Sequence, residues 1–231
     1  EVRSNTGQRV KLRRPLDFLA VSDHAEFLGA HALIKGNSPL LDQWATGKRW
    51  AQLLQAGDRR QMMLEYADAN VNPKAETMMS PSILRTVWAE VGRTADRFYD
   101  PGRFTALIAY EWTSMPNSGD NLHRVVLFRD GADRTNRTLP FSAQESVDPE
   151  ELWKVLDAYE ARGGGQALAI PHNSNLSNGL MFSPKTLSGG PLTAAYSRTR
   201  MRWEPVVEVT QVKGRGEVRP ILARTDEFAD V

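Results

Sequence analysis

The chain has 231 residues, no cysteine, and 29 basic against 28 acidic side chains, a net charge of +1. With 41% hydrophobic residues it can bury a core as a single α/β domain over 1–231, and the balanced charge offers no global field for nucleic acid or an anionic membrane. The absent cysteines exclude disulfides, thiolate metal ligands and a Cys nucleophile, and leave cytoplasm and periplasm equally open.

The N-terminus, EVRSNTGQRVKLRRP, is too polar for a signal peptide, and no apolar run is as long as a membrane span requires. The run Phe18-Leu19-Ala20-Val21 is short and continuously apolar, the pattern of a strand covered on both faces. Asp23, His24 and Glu26 then stand at its C-terminal end, the usual place for ligands in α/β sheets. Residues 25–35 read as a helix, and 41–56 and 58–70 have helical apolar spacing, so 36–100 is expected to be a helical insertion. Ser80-Pro81 is an N-cap and first-turn pair for a helix running to Phe98, and Asp100-Pro101-Gly102 breaks it. Residues 104–112 (FTALIAYEW) and 123–128 (HRVVLF) read as strands, separated by turn chemistry at 117–121. Asp148-Pro149 starts a helix in which Glu151 is expected to complete a capping box, and the run Gly163 to Gly165 ends it. ALAIP (167–171) and VVEVT (206–210) read as two more buried strands joined by a long Gly, Ser and Asn loop. These five strands are expected to lie mostly parallel in one sheet. The segment 123–128 is the exception, because its histidine precedes the strand instead of following it.

Three of the four histidines thus border predicted strands, together with Glu111. Neutral imidazole and carboxylate are ligands for zinc, manganese or iron, metals that activate water for hydrolysis. Arg124 and Lys213 are candidates for binding a phosphate, while Trp88, Trp153 and the Met62-Met63 pair read as helical packing. His31 reads as a solvent or polar contact.

The phrases FLAVSDHAEFLG, LIAYEWTSMPN, NLHRVVLF and IPHNSNLSNG resemble the polymerase and histidinol phosphatase (PHP) superfamily of phosphoesterases, and within it an uncharacterised PHP-like family, domain of unknown function 3604. The resemblance spans 17–230. It implies a distorted (β/α) barrel of about seven strands with two or three divalent transition metal ions at the strand ends. It implies further that Glu111 bridges two ions, that His123 and His172 complete one site, and that His24 belongs to another ion. Glu111 and Asp23 are then the catalytic carboxylates, Asp23 standing behind an imidazole, and Arg124, Asn173, Asn175 and Lys213 are candidates for contacting a phosphorylated small molecule. The implied reaction is phosphate ester hydrolysis by a hydroxide bridging two metals. An amidohydrolase-like C–N or lactone hydrolase, and a metal-binding or oligomerisation module without turnover, are the alternatives.

The superfamily pattern opens on His-x-His and closes on Asp-x-His, and this sequence contains neither. The expectation is therefore an internal piece of a longer protein lacking the first and last barrel strands, weak or inactive as an enzyme by itself. In 211–220, QVKGRGEVRP carries Arg215 and Arg219 where the family pattern is acidic. Oligomeric state and substrate are left open.

Overall fold

Four of the five expected strands pair into one sheet in a computed structural model, which describes residues 2–4, 6–163, 165–211 and 214–215. They are β1 (Phe18–Val21), β2 (Thr105–Trp112), β3 (Arg124–Phe128) and β4 (Ala167–Pro171), side by side in that order. β1 and β2 run parallel, with Phe18 opposite Thr105 and Val21 opposite Ile108. β3 is antiparallel to both of its neighbours, with Glu111 opposite Val125 and Arg124 opposite Pro171. Three strands therefore point one way and β3 points back.

Helices α1 (Ala30–Lys35), α2 (Ala45–Gln55), α3 (Arg59–Val71) and α4 (Pro81–Phe98) lie between β1 and β2. The short α5 (Ala132–Thr135) and α6 (Pro149–Ala161) lie between β3 and β4, and α7 (Ala194–Trp203) follows β4. The chain is a mixed α/β fold. Among the described residues no helix is long and apolar enough to cross a membrane.

Strand alternation decides what each face of the sheet carries. Ile108, Tyr110, Trp112, Val126, Phe128 and Ala169 point to one side and pack on Trp88 of α4, Leu152 and Leu156 of α6, and Trp203 of α7. The intervening Leu107, Val125, Leu127 and Ile170 line an open groove on the other side. A second core sits inside the helical region, where Phe27 meets Trp44, Trp50 and Tyr66 at ring centroid distances of 6.0, 5.1 and 5.7 Å. Val87 packs against both cores and joins them.

The structure corrects several sequence expectations. β1 is not covered on both faces: Phe18 is 66% and Val21 61% exposed, because β1 is an edge strand that pairs with β2 alone. The segment 206–210 does not join the sheet. Val206, Val207 and Val209 are exposed, the Glu208 N–H donates to the Pro171 carbonyl at 3.0 Å, and Thr210–Gln211 pairs instead with Gly214–Arg215. Helix α7 lies where a loop was expected. Thr193 caps it by accepting the Tyr196 N–H, and its end is fixed by Glu204, which binds Arg124, Arg200 and the Trp153 indole. Asp148 caps α6 as expected, but the Glu151 carboxylate reaches Lys154 at 2.6 Å, so the capping box does not close. Met63 is exposed while Trp88 and Trp153 are buried.

The helix expected from residue 25 begins only at Ala30, because Phe27 (φ 59°) and Gly29 (φ 75°) turn the chain left-handed. A β-carbon on Gly29 would lie 2.4 Å from Val87 Cγ1, so position 29 needs glycine for both backbone and packing reasons. Gly29→Ala should therefore destabilise the chain by about 1–3 kcal/mol through strain and overpacking. Gly57→Ala, at φ 80° with open space around it, should carry the conformational part alone and cost less; chemical denaturation of both variants measures the difference.

Candidate metal centre

The reversed direction of β3 explains why His123 precedes its strand while Glu111 and His172 lie at the C-terminal ends of theirs. The start of an antiparallel strand lies at the same sheet edge as the ends of its parallel neighbours. The ladder continues past the strand ends, with the His172 N–H donating to the His123 carbonyl at 3.1 Å, so these two residues face each other across β3 and β4. Their rings stand 5.7 Å apart, edge to face. Glu111 lies diagonally opposite His123, within reach of a long side chain. On the far side, β1 extends through an isolated bridge between His24 and Glu111, with the Glu111 N–H on the Asp23 carbonyl at 2.8 Å and the Ala25 N–H on the Glu111 carbonyl at 2.7 Å.

All three imidazoles converge on one carboxylate oxygen. Glu111 Oε1 is 3.0 Å from His123 Nδ1, 3.5 Å from His172 Nε2 and 3.9 Å from His24 Nε2. Glu111, His123 and His172 can present ligand atoms within 4.8 Å of one another. His24, half exposed, stands at the solvent side, its ring 6.4 Å from that of His123.

A chain of amides fixes the orientation of the His123 surroundings. The Glu208 carboxylate can only accept, so the Gln211 atom 2.6 Å away is the amide nitrogen, which also donates to Asn173 Oδ1 at 2.5 Å. Asn173 therefore turns its Nδ2 donor toward His123 Nδ1, at 3.0 Å. One ring nitrogen thus faces both an amide donor and a carboxylate oxygen, and neither tautomer satisfies both. With Nδ1 bare, its lone pair confronts Glu111, an opposition that a cation relieves. The other ring nitrogen, His123 Nε2, is buried with no hydrogen-bond partner. A carboxylate and two imidazoles whose ligand atoms lie within 4.8 Å of one another are a donor set that suits a divalent transition metal.

The remaining expected site residues fall in different places. Asn173 is 2% exposed with its amide nitrogen on His123, and its φ of 64° is a left-handed turn that asparagine tolerates. Asp23 is exposed beside the site and engages Glu111 through its backbone carbonyl; it is Asn173 that hydrogen-bonds an imidazole. Asn175 packs against Gly214, with Nδ2 2.8 Å from where a β-carbon on that residue would sit. Arg124 belongs to the opposite face of β3, where its guanidinium donates to Glu204 Oε1 at 3.0 Å with both side chains at most 2% exposed. It is committed to the core and does not reach Glu111, because alternation sends residue 124 to the helical side when 123 faces the site. Lys213 and Arg219 lie outside the described residues. Glu208 and Gln211 escaped sequence reading: VVEVT reads as a strand, and contacts with Pro171 and Asn173 bring that segment beside His172.

Burial pushes the Glu111 carboxyl up, but the neighbouring imidazoles of His123, His172 and His24 outweigh it and hold the group well below the ordinary carboxylate range. Burial likewise pulls His123 below the ordinary imidazole value, with Glu111 opposing. Both groups thus bind fewer protons folded than unfolded, and stability falls on acidification. The His123 contribution is lost as pH drops from about 6.5, the unfolded imidazole value, and that of Glu111 only below about 4.3. The melting temperature of the metal-free chain should therefore decline between pH 7 and 5, and His123→Asn should flatten that decline; an unchanged slope in the variant would show that another group carries it.

The chain matches no curated protein and no solved structure. A family model described as Protein of unknown function (DUF3604) matches residues 1–231, and the chain therefore belongs to the DUF3604 family.

Proposed function

We propose that this chain carries the metal centre of a hydrolase of the PHP type, acting on a phosphorylated small molecule. The observation that carries the reading is the convergence of Glu111, His123 and His172 on one point, a set of one carboxylate and two imidazoles drawn from three different strands. Three protein donors that leave further positions free are the pattern of a catalytic metal, and such sets supply Lewis acidity and a nucleophile from water at neutral pH.

Each residue has a task in that reading. Glu111, kept anionic by its histidine neighbours, supplies the negative charge of the site. His123 and His172 complete the donor set, and Asn173, held by Gln211 and Glu208, keeps its amide nitrogen 3.0 Å from His123 Nδ1. His24 stands within reach of a second ion and of an incoming substrate. The choice of phosphorus over an amide or lactone carbon rests on the likeness of FLAVSDHAEFLG, LIAYEWTSMPN, NLHRVVLF and IPHNSNLSNG to PHP phosphoesterases, and so does the barrel architecture. A second reading, a one-ion site without turnover, is favoured by the single three-donor cluster found among the described residues.

Calorimetric titration with zinc or manganese tests both. About one equivalent should bind. Outer-shell partners are worth roughly 10–100-fold in metal affinity, so loss of a ligand itself, in Glu111→Gln or His172→Ala, should weaken binding at least about 100-fold, and Arg103→Lys, at an exposed position before β2, should leave it unchanged. Undiminished binding in either ligand variant would refute the assignment. Turnover of phosphomonoesters or phosphodiesters by the loaded chain separates the hydrolase from the inert site.

A further inference from the structure

A cavity of about 470 Å³ opens beside His24, between α1, α2 and α3. Its size is that of a small-molecule site. Its wall includes Ile34, Trp50, Leu54 and Met62, with Glu26 and His24 also in the lining, and no lysine or arginine among its residues. His24 therefore belongs to two features at once, since its Nε2 is also 3.9 Å from Glu111 Oε1.

Two polar atoms of residues in this lining have no partner. Glu26 is 3% and Trp50 1% exposed. Oε1 of Glu26 is used, accepting the backbone N–H groups of Ala143 at 2.5 Å and Thr113 at 3.4 Å. Glu26 Oε2 and Trp50 Nε1 are buried without a hydrogen bond. Native interiors rarely leave such atoms unsatisfied. Both belong to residues that line the cavity, and they leave hydrogen-bonding capacity there for a hydroxyl or amide. With Asp23 and Glu26 in the lining and no lysine or arginine, the cavity disfavours an anion, and the aliphatic, thioether and aromatic wall favours a ring.

We infer that this cavity is the subsite for the uncharged part of the substrate, an apolar ring bearing a hydroxyl or amide, placed so that the hydrolysable group emerges past His24 toward Glu111. The inference deepens the proposed hydrolytic reading and rests on it for the word substrate.

The test begins with the metal-free full chain, so that the cavity is probed independently of the metal. Titration with 2-naphthol, followed by calorimetry and by the indole N–H resonances, should show saturable binding that shifts the Trp50 signal. Leu54→Trp, which fills the cavity, and Met63→Trp, a substitution at an exposed lining position that leaves the core untouched, should each weaken it at least about tenfold. In the zinc-loaded chain, 2-naphthyl phosphate should bind at least about tenfold tighter than methyl phosphate, and the filled variants should lose that preference. Zinc binding with no naphthol binding, equal affinities for the two phosphates, or tighter binding of 2-naphthylmethylamine than of 2-naphthol would overturn the inference. Naphthol binding without zinc binding would keep the cavity as a ligand site and remove the hydrolytic reading instead.

Discussion

Everything at the site depends on the register of β3 between β2 and β4. Because β3 runs against both neighbours, its first residues reach the edge where the parallel strands end, and Glu111, His123 and His172 come to one place on one face. A slip of one residue would exchange the faces. His123 would then enter the helical core and Arg124 would emerge beside Glu111. The buried pair of Arg124 and Glu204 opposes that slip, since a guanidinium with 2% exposure has its charge and donors matched only in the observed register. Losing one partner of such a pair leaves an uncompensated buried charge, a severe penalty. The ion pair on one face thus supports the ligand set on the other.

The polar network behind the site has its own logic. A carboxylate that can only accept, Glu208, orients Gln211, which orients Asn173, which faces His123. Such a relay transmits a fixed donor direction over three side chains without an added charge. It also recruits the segment after α7, so residues nearly ninety positions beyond His123 set the surroundings of its ring.

The helical region serves the site from the other side. Its aromatic cluster around Phe27, Trp44 and Trp50 anchors the turn that follows His24, and the left-handed Phe27 backbone is a strained conformation that tight packing maintains. Glu26, on the same turn, holds the N–H groups of Thr113 and Ala143, tying the exit of β2 to the loop before α6. The turn therefore fixes the position of His24 and builds one wall of the cavity beside it.

The sequence alone was sufficient for elements whose signals are local. Continuous apolar runs located β2, β3 and β4, Ser80-Pro81 and Asp148-Pro149 located the starts of α4 and α6, and histidines bordering strands located the ligand candidates. These signals depend on neighbours a few positions away, and the chain cannot disguise them. Facing and coverage were decided by tertiary structure. Phe18 to Val21 has the apolar run of a buried strand yet is an exposed edge, because burial depends on what packs alongside. Arg124 reads as a phosphate ligand beside His123, but alternation and Glu204 commit it to the core. Glu208 and Gln211 became part of the site through hydrogen bonds to residues 35 to 38 positions away, a separation at which no local pattern survives. Periodicity records where a side chain can point along its own element; only packing determines what it meets there.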